Sequence, residues 1–401
     1  MTSRERILAA IGHRPVDRVP IDLGGTRQSG IAAIAYAKLR HHLGIPGPPP
    51  KVFDLFQMLA EIEPEVADRF GADCVFINRP AVAFGITNAD WRPFALFDGT
   101  DVLVPGGFNP ETGARGDLVL RRGDEIIARM PRNGFYFDRL EKYPGALHPD
   151  LDSWEPPRLS EADLQHYAHG ARVAFEQTDK AVVAAMGPPY ELFNGLGQGD
   201  FEAWMITFAT EPEYVERLYA KLIGAWLENL AALHRAVGDR VQILQIADDF
   251  GTQNAPFLSP AMFRDLVMPA YKRGIDWIHA NTQWKVLLHS DGALVPLIPS
   301  IIEMGVDALN PVQTTAAGMD PARLVAEFGR DIAFWGGSCD CQGTLTTGTP
   351  RQVADEVRRN LDAFHPLDGG HVLASVHNIQ ANVPPENIVA LFDAALEFAN
   401  S

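Results

Sequence analysis

Cysteine is scarce in this sequence. Cys74, Cys339 and Cys341 are the only three in 401 residues, an odd number that excludes a disulfide framework and fits a reducing compartment. Long apolar runs are missing too: no stretch of eighteen such residues occurs, and the opening MTSRERILAAIGHRP has no extended apolar segment or small-residue cleavage site. A cytoplasmic chain is expected. Positive charge is in short supply, with 34 Lys and Arg against 51 Asp and Glu and a formal charge of −17. That balance argues against nucleic acid and anionic membranes as partners, because their binders concentrate basic residues on one face. Short-period repeats and low-complexity tracts are absent, which removes solenoids and disordered tails from consideration. What is present, 46% hydrophobic residues with 21% charged, is enough to build a packed core. The length suits one large barrel with insertions or two ordinary domains.

Thr2 and Glu5 form a T-x-x-E capping box ahead of Ile7, Leu8 and Ala9, predicting a helix that stops at Pro15. The run VPIDLGGT (19 to 26) follows as a short extended segment, and residues 30 to 44 and 54 to 70 have helical spacing. Between about 92 and 140, short alternating runs such as DLVLRRGDEIIARM predict an inserted antiparallel β-meander. Proline-rich, acidic residues 144 to 158 read as a connector. Elsewhere apolar runs alternate with amphipathic stretches: 74 to 78, 181 to 187, 241 to 248, 285 to 291, 308 to 313, 332 to 337 and 371 to 378. Helix starts lie between them at Thr210 with Glu213, Ser259-Pro260, and Thr349-Pro350 with Gln352. This is the pattern of repeated βα units. With the segment at 19 to 25, or one in the connector, eight strands are expected. The fold class is therefore α/β, a (β/α)8 TIM barrel with an inserted antiparallel β-meander. It is read as a single domain over 1–401, with an N-terminal extension 1–50 and the β insertion at about 92–140.

Nearly every apolar run ends in polar or glycine residues. Asp248 and Asp249 close one, His289 and Asp291 the next, then Asn310 and Gln313, Gly336 and Gly337, and finally His377 and Asn378. In a barrel these ends converge on one mouth, where barrel enzymes carry their chemistry. His289 and Asp291, two apart on a strand, emerge on the same face and can meet one metal ion. His377 supplies a third ligand, and three protein ligands with an open position describe a catalytic zinc site. The ordinary alternative is a pair of hydrogen-bonded histidines, with Asp291 capping the helix that begins near Leu294. Asp248 and Asp249 are candidate catalytic carboxylates, one of which repulsion can hold protonated, or else one of them orients loop amides. Glu191, after AVVAAMGPPY, is a further catalytic candidate. Asn310, Gln313, Asn378 and Gln253 are candidate substrate contacts. Cys339 and Cys341 form a C-x-C near the mouth, open to a redox or metal role or to none. Glu356, Arg358 and Arg359 read as solvated helix surface.

The order of RERILAAIGHRPVDRVPIDLGGT, DDFGTQNAPFLSPAMFRDLVMP, LLHSDGALVPLIPSIIEMGVDALNPVQ, WGGSCDCQGTLTTGTPRQVADEV and HVLASVHNIQANVPPENIVALFDAA resembles the uroporphyrinogen decarboxylase superfamily, in particular its cobalamin-linked methyltransferase branch. The resemblance spans almost the whole chain and implies a (β/α)8 barrel. In members that methylate a thiol it implies a zinc ion held by H-x-C and a later Cys. The matching positions here are His289, Asp291 and His377, so both thiolates are replaced. A nitrogen and oxygen shell leaves zinc, or another divalent metal, a harder Lewis acid, better suited to an ether or hydroxyl than to a thiolate. The resemblance then implies transfer of a methyl group from a small O-methyl or N-methyl compound to the cobalt of a separate corrinoid protein. Two alternatives stay open: metal-independent decarboxylation, for which Arg27-Gln28-Ser29-Gly30 echoes the decarboxylase's arginine-bearing segment, and a binding relative without chemistry.

Overall fold

In a computed structural model, residues 1–140, 148–197 and 200–398 are described. Residues 144 to 147 of the expected connector lie outside them. Seven parallel strands form the central sheet: β1 (Cys74–Ile77), β2 (Ala181–Ala185), β3 (Ile243–Ala247), β4 (Lys285–His289), β5 (Ala308–Asn310), β6 (Ala333–Trp335) and β7 (His371–Val372). They lie side by side in chain order, as short right-handed crossovers dictate. The two edge strands meet across the segment Pro20–Asp22. Leu373 N donates to Pro20 O (2.9 Å), Asp22 N to Leu373 O (2.8 Å), and Asp73 N to Ile21 O (2.7 Å). This curled, mixed α/β architecture is consistent with a TIM-like barrel, and the run expected at 19 to 25 occupies the gap between its ends.

Strand alternation decides which residues face the inside. Cys74, Ala181, Val183, Ile243, Leu287, Ala308, Ala333, Trp335 and Val372 make one buried cluster, into which helix α1 (Ser3–Ile11) inserts Ile7, Ala10 and Ile11. Their neighbours in sequence, including Val182, Leu244, Val286, Leu288 and Phe334, pack outward into the cluster shared with the surrounding helices. The Thr2–Glu5 capping box forms as expected. Because α1 covers the ends where the strands begin, through bonds such as Gly370 N to Ala10 O (2.7 Å), the opposite ends are left for chemistry.

Two expectations change. Residues 54 to 70 do not form one helix: strands Val52–Asp54 and Leu59–Ala60 precede a helix at Pro64–Arg69 only. Asp54 Oδ1 accepts from Phe56 N (2.8 Å) and Gln57 N (3.1 Å), and this side-chain turn competes with helical bonding. The stretch 92 to 140 is antiparallel but divided. Arg92–Ala95 pairs with Asp101–Val104, while Glu111–Thr112, Leu118–Arg122, Glu125–Met130 and Arg139–Leu140 form a separate four-stranded sheet. Among the described residues no helix is long and apolar enough to cross a membrane.

Candidate metal centre

His289 is the last residue of β4 and shares the inward parity of Leu287. Register sets it beside Ala247 of β3 and Asn310 of β5. Its Nδ1 lies 2.6 Å from Asn310 Oδ1, while Asn310 Nδ2 donates to Trp335 O (3.0 Å). With the amide so oriented, Asn310 Oδ1 accepts from His289 Nδ1, which leaves Nε2 as the ring nitrogen turned toward the site. The same device recurs past β7. His377 Nδ1 lies 2.7 Å from Asn378 Oδ1, and Asn378 Nδ2 donates to Gln57 Oε1 (2.7 Å), so His377 also turns its Nε2 inward.

Asp291 completes the group. His289, Asp291 and His377 each offer one ligand atom, all within 4.8 Å of one another. Asp291 Oδ2 stands 3.8 Å from His289 Nε2 and 3.9 Å from His377 Nε2. Two imidazoles and a carboxylate, each imidazole oriented by an amide behind it, fit a divalent ion of zinc type. Asp249 adjoins them, with Oδ1 3.9 Å from His289 Nε2 and accepting from Asp291 N (3.0 Å). The loops bearing the two aspartates approach closely at Gly292, where φ is +97° and an added Cβ would come 2.4 Å from the Gly251 carbonyl carbon. Burial lowers the His377 pKa and raises that of Asp249. Carboxylates facing two imidazole nitrogens leave this part of the mouth attractive to a cation.

Asp248 is expected as a catalytic carboxylate or as one that orients loop amides, and its hydrogen bonds match the second. It is fully buried, and its carboxylate accepts from Phe193 N (2.7 Å), Asn194 N (2.6 Å) and Tyr271 OH (2.9 Å). Every bond goes to the protein, so Asp248 anchors the loop after β2, the loop-amide role left open by the sequence. Asn310 and Asn378, expected to touch substrate, are hydrogen-bonded to the two histidines. Gln313 and Gln253 bond each other (2.6 Å), with Gln313 Oε1 also accepting from Gly292 N (3.1 Å) and Gln253 Nε2 donating to Thr315 O (2.8 Å). These amides brace the Asp291 loop. Cys339 is buried, and burial, followed by Asp340 and Asp291, pushes the Cys341 thiol to about 11. Both cysteines stay protonated and outside the converging trio.

Glu191 lines a cavity of about 400 Å³, together with Arg27, Arg79, Arg122, Phe56 and Tyr190. Burial, then the nearby Asp249 charge, raises its pKa to about 7. The influence of His289 and Asp249 on this carboxyl links the cavity to the trio electrostatically. Sequence reasoning passed over Asn78 and Arg79, although they follow β1 as polar strand-end residues and obey the same rule as the others. Tyr271, inside an amphipathic helix, carried no such signal.

The sequence pattern of the uroporphyrinogen decarboxylase (URO-D) family matches residues 140–398. Uroporphyrinogen decarboxylase of Xanthomonas euvesicatoria pv. vesicatoria (strain 85-10) is 25% identical over 413 residues, covering 98% of each chain. That of Xanthomonas axonopodis pv. citri (strain 306) is 26% identical over 415 residues, again at 98% of each. Among solved structures, a methyltransferase from Methanosarcina mazei aligns over 99% of both chains with a TM-score of 0.60 at 19% identity, a likeness of fold. Because the family match runs over well more than half of the chain, the protein belongs to the uroporphyrinogen decarboxylase family.

Proposed function

We propose that the chain is a metal-dependent methyltransferase that moves a methyl group from a small O-methyl or N-methyl compound to the cobalt of a corrinoid carried by a separate protein, in a cytoplasmic setting. The observation that carries this reading is the convergence of His289 Nε2, His377 Nε2 and an Asp291 oxygen, with both imidazoles oriented by asparagines. Zinc or another divalent ion bound there supplies Lewis acidity toward the donor's oxygen or nitrogen. His289, Asp291 and His377 would hold that ion, with Asn310 and Asn378 keeping the two rings aimed.

Glu191, at about 7, retains a proton through much of the neutral range and faces the cavity where a donor would lie. As the methyl carbon–oxygen bond breaks, the bonding pair remains on oxygen, which takes the Glu191 proton and leaves as a hydroxyl. A reduced corrinoid on the partner protein would supply the electron pair for the new bond to the methyl carbon. Asp248 acts indirectly, by fixing the backbone at Phe193 and Asn194 just beyond Glu191.

The second reading is metal-independent decarboxylation. It is favoured by the Xanthomonas relatives, which are uroporphyrinogen decarboxylases and match over 98% of the chain. One experiment separates the two. Purified protein with O-methyl and N-methyl donors and a reduced corrinoid, followed by the corrinoid's visible absorption, is expected to show methyl transfer that a chelator abolishes and zinc restores. Decarboxylation of a porphyrinogen that persists in chelator, with no methyl transfer from any donor, would favour the second reading.

A further inference from the structure

The two histidines at the mouth are braced from different parts of the fold. Asn310, which orients His289, has its amide nitrogen held by the Trp335 carbonyl (3.0 Å), a backbone group of the adjacent strand β6. Asn378, which orients His377, has its amide nitrogen held by a side chain instead, Gln57 Oε1 at 2.7 Å. Gln57 belongs to none of the seven parallel strands. It lies in the turn between Val52–Asp54 and Leu59–Ala60, 321 residues from Asn378 along the chain and ahead of the stretch 140–398 that carries the family pattern.

Both the turn and its sheet are held in place. Asp54, fully buried, accepts from Gln57 N through Oδ1 (3.1 Å) and from Arg27 Nε through Oδ2. Leu59–Ala60 pairs with Ile31–Ala32, and that strand is tied to the residue after Asn378: Ile379 N donates to Gly30 O (2.9 Å) and Ala32 N to Ile379 O (2.8 Å). The oxygen end of the Asn378 amide is matched as well, since Oδ1 accepts from Gln380 Nε2 (2.7 Å) in addition to His377 Nδ1. An amide turned end for end would set its nitrogen against the Gln380 donor and its oxygen against the Gln57 acceptor, so the two glutamines admit one orientation. Gln57 secures the nitrogen end. Without it, a donor on the buried Asn378 loses its acceptor, which a rotation of the amide would relieve.

We infer that Gln57 is a positioning residue for the metal centre, acting through Asn378 on the His377 ring, an inference that rests on the reading of His289, Asp291 and His377 as a metal site. With Gln57 in place, Asn378 presents its oxygen to His377 Nδ1 and the ring turns Nε2 toward Asp291; with Gln57 removed, the amide is free to rotate and the ring loses its fixed aim. The small N-terminal sheet is thereby part of the apparatus that prepares the site, while the His289 half depends only on the register of the barrel strands.

The test is the zinc affinity of the full-length protein, read by competition against a chromophoric chelator, for the wild type, Q57L, Q57A and Q57E, with circular dichroism as the fold control. Q57L and Q57A remove the acceptor and should each weaken zinc binding roughly tenfold, the lower end of what loss of an orienting partner costs. Q57E keeps an acceptor oxygen on a side chain of the same length and should recover most of that loss. A double-mutant cycle separates action through Asn378 from a general loosening of the turn: Q57L should add little in an N378A background and its full effect in an N310A background. Wild-type protein that binds zinc no more tightly than Q57L and Q57A, a Q57E protein as weak as Q57L, or a Q57L penalty undiminished by N378A would each overturn the inference and leave the metal reading standing. Wild-type protein that takes up no zinc would overturn the metal reading itself, and the inference with it.

Discussion

Asn310 fixes the ring of His289 by accepting from Nδ1 at 2.6 Å while its own amide nitrogen donates to the Trp335 carbonyl at 3.0 Å. The two residues sit opposite each other in the register of adjacent strands. Removing Asn310 leaves the imidazole free to rotate or change tautomer. N310A is therefore expected to weaken zinc binding about 10–100-fold, as loss of an orienting partner generally does. Competition against a chromophoric chelator measures this, and unchanged affinity would refute the orienting role.

Asp291 is the proposed oxygen ligand of the site. D291A is expected to lose most metal affinity, since one of three protein bonds disappears. D291C should still bind metal but shift preference toward softer ions, because a thiolate replaces a carboxylate. Relative affinities for zinc, cadmium and manganese check this. A D291C protein with the wild-type order of preference would count against direct ligation.

Asp248 is predicted to matter for folding more than for chemistry. D248A strands two backbone N–H groups and the Tyr271 hydroxyl in a buried site, at about 1–3 kcal/mol for each unsatisfied group. A loss of several kcal/mol in urea unfolding is expected, larger than for D249A, whose carboxylate accepts the Asp291 backbone N–H. Equal stability of the two variants would contradict the anchoring role.

Glu191 makes a pH prediction with a definite sign. Its folded pKa of about 7 lies above the ordinary 4.5, so between those values the folded chain holds a proton that the unfolded chain has released. Its contribution to stability is therefore present below the lower value and lost as pH rises to the upper one. E191Q should flatten the fall in stability between pH 5 and 7.5. The same protonation predicts that the kcat/KM for methyl transfer declines above about pH 7, a limb that E191Q should lack. Parallel pH profiles for the two proteins would remove Glu191 from the proton-transfer role.

The strands were legible because alternation and turn residues are local signals. His289 could be assigned inward from the parity of Leu287, and Asp291 beside it from spacing alone. Their approach to His377 was harder to see, since it depends on ring curvature, which no local pattern carries. Asn310 and Asn378 were visible as strand-end polar residues, but a sequence does not distinguish a side chain that meets substrate from one that braces a ligand. Asp248 and Asp249 are neighbours of the same type with different tasks, separated only by which donors surround them. The broken helix at 54 to 70 was missed because the Asp54 side-chain turn competes with a spacing that otherwise reads as helical. The arginine-lined cavity draws on segments far apart in the chain, and nothing in any one of them announces it.

Metal binding by His289, Asp291 and His377 underlies the proposed function. Its most direct test is metal content per chain by elemental analysis after incubation with zinc, cobalt or manganese at neutral pH and removal of excess, with circular dichroism as the fold control. Stoichiometric metal is expected in the wild-type protein and little in folded H289A and H377A. Wild-type protein that stays metal-free with all three ions, or histidine variants that load as fully as the wild type, would contradict it.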